Sequence, residues 1–150
     1  MNFKNFINEK LIVVDTLNSK FGFFNKIADI AFENKIIFNK KILIECLIER
    51  ENKGSTGLLD GFAIPHAQSE TIEKASVVIV KSYNKVKWES LDEGDVETAI
   101  SLLVPKSQAG TTHIDFLSEV STLIMDENFR LELSKLYDIN SIYNLIVSKL

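Results

Sequence analysis

Four consecutive aliphatic residues, Val77-Val78-Ile79-Val80, leave this chain few folding solutions. A β-strand turns successive side chains to opposite faces, so an unbroken apolar run needs apolar cover on both sides. Helical periodicity elsewhere in the 150 residues supplies that cover. Phe24, Ile27, Ala28 and Ala31 recur at helix spacing. Leu43, Cys46, Leu47 and Arg50 do the same behind a candidate N-cap at Asn39. A third helix runs from a cap at Thr111 or Thr112 to about Met125, with Ile114, Leu117, Val120 and Ile124 on one side. Asp126 and Asn140 are candidate caps for two more.

Other strands are marked by short β-rich runs at Leu11 to Val14, Ala75 to Lys81 and Val96 to Val104. Phe62-Ala63-Ile64 is a further short run, stopped by Pro65, and Tyr83 to Trp88 reads as an edge hairpin. Gly54-Ser55-Thr56-Gly57 and Asp60-Gly61 are turns. The expected fold is α/β, α+β-like in its order: a mixed central β-sheet flanked by helices on both faces. The elements do not alternate cleanly enough for a doubly wound sheet. With no repeat or linker, residues 1–150 read as one domain.

A formal net charge of −4, with no basic run interleaved with aromatics, does not suit a nucleic-acid binder. Cys46 is the only cysteine, so no intrachain disulfide forms, and a reducing cytoplasm is the expected compartment. No apolar run is long enough for a bilayer, and Met1 to Lys10 lacks the apolar core of a signal peptide. Two histidines and one cysteine do not make a metal site, and Gly54 to Gly57 lacks the lysine of a phosphate-binding loop. A nucleophile built on Cys46 is disfavoured by its place on the apolar helix stripe.

Chemistry is left to His66, His113 and Arg50. His66 follows a strand-like run ended by a proline, which restricts the backbone on its approach. His113 stands in the first turn of a helix, where the dipole keeps an imidazole neutral and able to donate one hydrogen bond. Arg50 shares the stripe of Leu43 and Leu47, so its guanidinium either emerges at the inner end of that helix or snorkels over apolar surface. Spacing alone leaves both readings open for each residue. Taken together, a nucleophilic imidazole, a second imidazole and a planar cationic fork suit phosphoryl transfer between histidines.

A resemblance narrows this. Arg50-Glu51-Asn52-Lys53-Gly54-Ser55-Thr56-Gly57, then Asp60-Gly61-Phe62-Ala63-Ile64-Pro65-His66-Ala67, is similar to the signature of type-2 IIA domains. These form the fructose/mannitol family of the phosphoenolpyruvate-dependent sugar phosphotransferase system. The likeness continues through Val96 to Pro105, Thr112-His113-Ile114-Asp115-Phe116-Leu117 and Asp126-Glu127-Asn128-Phe129-Arg130. Phe62 stands where the family usually has isoleucine. The resemblance implies that His66 takes a phosphoryl group from the carrier HPr and passes it to a IIB domain, which serves a membrane IIC permease. It implies that Arg50 stabilises the phosphoryl group and that His113 orients the ring or donates to the oxygens. No cofactor or metal is implied. A nitrogen-related regulatory IIA protein, acting by phosphorylation-dependent binding, is the alternative, and the sugar stays open among fructose, mannitol, mannose and galactitol.

Overall fold

The computed structural model describes residues 3–150, so Met1 and Asn2 of the N-terminal stretch lie outside the described residues. After two short 3-10 turns, β1 (Ile12–Asp15) leads to α1 (Lys20–Glu33) and α2 (Lys40–Asn52). Then come β2 (Phe62–Ala63), β3 (His66–Ser69), β4 (Ser76–Val86) and β5 (Val96–Pro105). Three helices close the chain: α3 (Thr111–Met125), α4 (Glu127–Ser134) and α5 (Ile139–Ser148).

The sheet is mixed, in the order β1-β4-β5 with β2 and β3 both on the far side of β5. β1 runs parallel to β4, β4 antiparallel to β5, and β2 and β3 parallel to β5. The Val77 to Val80 run is covered on both faces, as its composition demands. Val78 and Val80 pack with Phe23, Ile27, Leu43 and Leu47 of α1 and α2. Val77 and Ile79 pack with Phe116, Phe129 and Ile142 of α3, α4 and α5. Lys81, the next residue, is fully buried and donates from Nζ to the carbonyls of Leu133 and Leu136, at the C-terminal end of α4.

Several local expectations are corrected. Pro65 interrupts a strand and does not end one: Phe62 pairs with Thr98 and His66 with Leu102, the same register on both sides of the proline. Proline is tolerated because this is the sheet edge, and its carbonyl still accepts from Leu102 N at 3.1 Å. Tyr83 to Val86 is no separate hairpin; it prolongs β4, and Val86 pairs with Val96 of β5 beyond an irregularity. Asn39 and Asp126 cap α2 and α4 as expected. Neither Thr111 nor Thr112 caps α3: Gly110 holds that position without a side-chain bond. Asp138, not Asn140, caps α5. The buried face of α3 is Phe116, Val120, Leu123 and Ile124, leaving Ile114 exposed.

Two glycines have steric reasons. The Gly54 to Gly57 loop covers the outer edge of β2, with Thr56 O accepting from Ile64 N at 3.0 Å. There a Cβ on Gly57 would lie 2.6 Å from both Glu89 O and Ser90 Oγ. Gly61 takes φ +82° in the turn entering β2.

Candidate functional site

His66 opens β3 at the sheet edge, between the last turn of α2 in one helical layer and the first turn of α3 in the other. The residue is 6% exposed, yet it lines a cleft of about 280 Å³ together with Arg50, Lys53, Gln68 and His113. The structure therefore brings together all three residues that the sequence singled out.

The ring's two nitrogens have different partners. Nδ1 lies 2.7 Å from Ile64 O, a carbonyl that can only accept, so Nδ1 carries the proton. Nε2 then holds the free in-plane lone pair, and Arg50 Nε donates to it at 3.0 Å. Burial lowers the pKa of His66 below the ordinary 6.5, against the pull of the Ile64 hydrogen bond; the charges of Arg50 and His113 lower it further, and Glu51 opposes them. The result is a neutral imidazole with its lone pair under a cation. This is the protonation state that nucleophilic attack requires.

Arg50 is half-buried and held twice. Besides His66, its Nη1 donates to Gly54 O at 2.8 Å. The snorkelling reading is thus replaced by an inward-facing guanidinium. The buried stripe of α2 is Leu43, Leu47 and Glu51, with Cys46 and Arg50 on its flank. Cys46 is accordingly only partly buried and lines the cleft, which corrects its expected place on the apolar face.

His113, in the first turn of α3, sets its ring centroid 5.3 Å from that of His66 at an interplanar angle of 45°. Burial, then the Arg50 charge, lowers its pKa. Its buried Nδ1 has no hydrogen-bond partner among the described residues. An unpaired polar atom is costly in such a place, and it gives the ring spare capacity toward a group entering the cleft.

Sequence reasoning missed Glu51. It is 8% exposed and accepts from Thr56 Oγ1 at 2.6 Å, Trp88 Nε1 at 2.8 Å, and Thr56 N and Ser55 Oγ at 3.1 Å. Lys20 Nζ lies 3.4 Å away. Burial would raise its pKa, but the Thr56 bonds, Lys20 and Trp88 together hold it below the ordinary carboxylate value. The available signal was the i, i+4, i+8 series Leu43-Leu47-Glu51, which puts a carboxylate on a buried stripe. Among the described residues no group of three or more His, Cys, Asp or Glu side chains could hold a metal ion, and no helix is long and apolar enough to cross a membrane.

Comparison with known proteins gives a consistent picture. The family model described as "Phosphoenolpyruvate-dependent sugar phosphotransferase system, EIIA 2" matches residues 5–149. The fructose-specific EIIABC component of Mycoplasma pneumoniae is 33% identical over 129 residues, which is 86% of this chain and 18% of that protein. This chain therefore spans less than a fifth of that curated relative. The nitrogen regulatory protein IIA-Ntr of Neisseria meningitidis superposes with a TM-score of 0.86 at 25% identity, covering 95% of this chain and 97% of the other. The complex of enzyme IIAMTL and phosphorylated enzyme IIBMTL from Escherichia coli shares the fold: TM-score 0.78 at 13% identity, with 95% and 97% covered.

Proposed function

We propose that this chain, which belongs to the EIIA 2 family of the phosphoenolpyruvate-dependent sugar phosphotransferase system, carries a phosphoryl group on Nε2 of His66 between two protein partners. The observation that carries the reading is the split of roles on one ring: Nδ1–H fixed on Ile64 O, Nε2 unprotonated beside the cleft.

The donor is the phosphohistidine of HPr. Its P–N bond breaks and leaves the electron pair on the donor ring, while the Nε2 lone pair of His66 forms the new P–N bond. Arg50 has to leave that lone pair first. Its Nη1 bond to Gly54 O allows the fork to turn without being released, from the nitrogen to the phosphoryl oxygens. His113, neutral and with Nδ1 unpaired, donates to an oxygen or braces the ring. The donor is already activated, so positioning and electrostatics are sufficient for the step. The second partner is a IIB domain acting for a membrane IIC permease; the IIB complex of the Escherichia coli relative supports this pairing. Ile114, next to His113 and 66% exposed, supplies apolar area for a transient contact. The likeness to a nitrogen regulatory protein favours a second reading, in which the phosphorylated form acts by binding other proteins.

Intact-mass analysis after incubation with phosphoenolpyruvate, enzyme I and HPr tests the site. The expected result is one acid-labile phosphoryl group on the protein, absent from His66→Ala and slow to form on His113→Ala. A phosphoryl group retained by His66→Ala ends the proposal. Adding IIB, IIC membranes and sugar separates the two readings: loss of the group indicates transport, and persistence indicates regulation.

A further inference from the structure

We infer that Glu51 is a positioning residue for phosphoryl transfer, fixing through the Gly54 to Gly57 loop the carbonyl on which Arg50 turns. The inference deepens the reading of His66 as a carrier and rests on it.

Arg50 has two anchors, and only one of them survives the reaction. Its bond to His66 Nε2 must break when that nitrogen takes phosphorus, whereas the bond to Gly54 O need not. The place of Gly54 O therefore decides where the guanidinium can go. Gly54 sits just past the end of α2, in a loop whose backbone has no strand or helix to hold it. What holds it is Glu51. Its main-chain carbonyl accepts from Gly54 N at 3.2 Å. Its carboxylate takes the Thr56 hydroxyl and the Thr56 N–H, and shares the Ser55 hydroxyl with Glu89 O. The carboxylate is tied to the core by Trp88, whose Nε1 donates to the same oxygen, Oε1, that takes Thr56 N, and which packs edge-on against Phe23 and Phe24 of α1. A continuous path thus runs from a rigid aromatic cluster, through one carboxylate and three loop residues, to the arginine and the reacting nitrogen. Thr56 O also accepts from Ile64 N, and Ile64 O holds Nδ1 of His66. The same loop therefore steadies both partners of the Arg50–His66 pair.

A merely structural carboxylate would lower stability and leave the chemistry of surviving folded molecules unchanged. A positioning one acts through Arg50. The experiment is single-turnover transfer from phospho-HPr to Glu51→Ala, Glu51→Gln, Arg50→Ala and the Glu51→Ala/Arg50→Ala double variant. Glutamine can accept from Thr56 N and Trp88 and donate to the Thr56 hydroxyl, so it restores the network without the charge. Expected are a rate loss of about tenfold in Glu51→Ala at unchanged apparent affinity for phospho-HPr, recovery in Glu51→Gln, and little further loss in the double variant beyond Arg50→Ala. A defect that multiplies with that of Arg50→Ala, or a wild-type rate in Glu51→Ala, overturns the inference.

Thr56→Val keeps the charge, removes one ligand of the carboxylate and serves in the same cycle if Glu51→Ala does not fold. Ring titration of unphosphorylated Thr56→Val by NMR is the independent arm. Arg50 and His113 press the His66 pKa down while Glu51 pulls it up, so a loosened Arg50 must raise it. An unmoved His66 titration also overturns the inference. Because this arm needs no phosphoryl donor, it still reads out if wild-type protein takes no phosphoryl group, a result that would instead end the carrier reading.

Discussion

At His66 one side chain is neutral, buried and open to a cleft at once, and the first two conditions are linked. Neutrality comes first from burial and then from the adjacent cation, which together keep the ring's pKa below 6.5. That shift has a thermodynamic consequence. Because the folded ring resists protonation, the unfolded chain takes up the proton first as pH falls through 6.5. The contribution is therefore present above that pH and is lost on acidification, down to the lowered folded value. His113 adds with the same sign. Urea midpoints should fall between about pH 7 and about pH 5, and the fall should be shallower in His66→Gln. Parallel curves for variant and wild type would mean that the ring is not buried as described. Arg50 is the other test at this scale. Lysine keeps the charge but not the fork, and cannot hold Gly54 O and a phosphoryl oxygen in one plane. Arg50→Lys should slow single-turnover phosphorylation by about 10- to 100-fold. A rate within twofold or so of wild type would reduce the arginine to a simple charge.

The elements are where sequence reasoning and structure diverge most usefully. Asn39 and Asp126 were legible as caps because each stands directly before the helical run it caps. Asp126 accepts from Asn128 N and Phe129 N, so Asp126→Ala should cost about 1 kcal/mol in chemical denaturation. Before α5, Asp138 and Asn140 stand two residues apart, and Asn140 is the candidate the sequence suggests; in the structure Asp138 takes Ser141 N, so Asn140→Ala should be nearly silent. In α3, a stripe through Ile114 and one through Phe116 share Val120 and Ile124, and only the sheet beneath decides that Phe116 goes in. Pro65 misled for a similar reason: the rule that proline ends a strand assumes neighbours on both sides, and this strand has a strand on one side only. The pairing of His66, His113 and Arg50 was legible through motif likeness, whereas Glu51 was not. A charged residue on a helix reads as solvated until Thr56 and Trp88, 5 and 37 residues away, are seen to meet it. Gly57→Ala tests the loop these contacts hold. Its Cβ would press on Glu89 O and Ser90 Oγ, so a loss of about 2 kcal/mol is expected. A neutral result in urea would show that the loop can step back from β2.

Across the whole molecule, the cleft exists because the two helical layers are locked to one sheet. Arg50 belongs to the layer of α1 and α2, His113 to that of α3, α4 and α5, and His66 to the strand between them. Sliding of either layer would change the distances among His66, Arg50 and His113. Two features resist it. Alternate residues of one strand, Val77 with Ile79 and Val78 with Val80, serve opposite cores, so neither core can loosen without exposing the other's backing. Lys81, buried in the same strand, holds the end of α4 through the Leu133 and Leu136 carbonyls and lies under the ring of Tyr137. Such coupling predicts a single unfolding transition, and the lone tryptophan makes the prediction measurable. Trp88 belongs to the core of α1 and α2. Phe129, fully buried, belongs to the other. Phe129→Ala should cost about 4 kcal/mol, and its urea midpoint should fall equally by far-UV circular dichroism and by Trp88 fluorescence, although the deleted ring and the reporter lie on opposite faces of the sheet. If Trp88 kept its wild-type midpoint while the dichroism moved, the layers would be unfolding separately. Arg50 and His113 would then be joined by a softer frame than a site built from both layers requires.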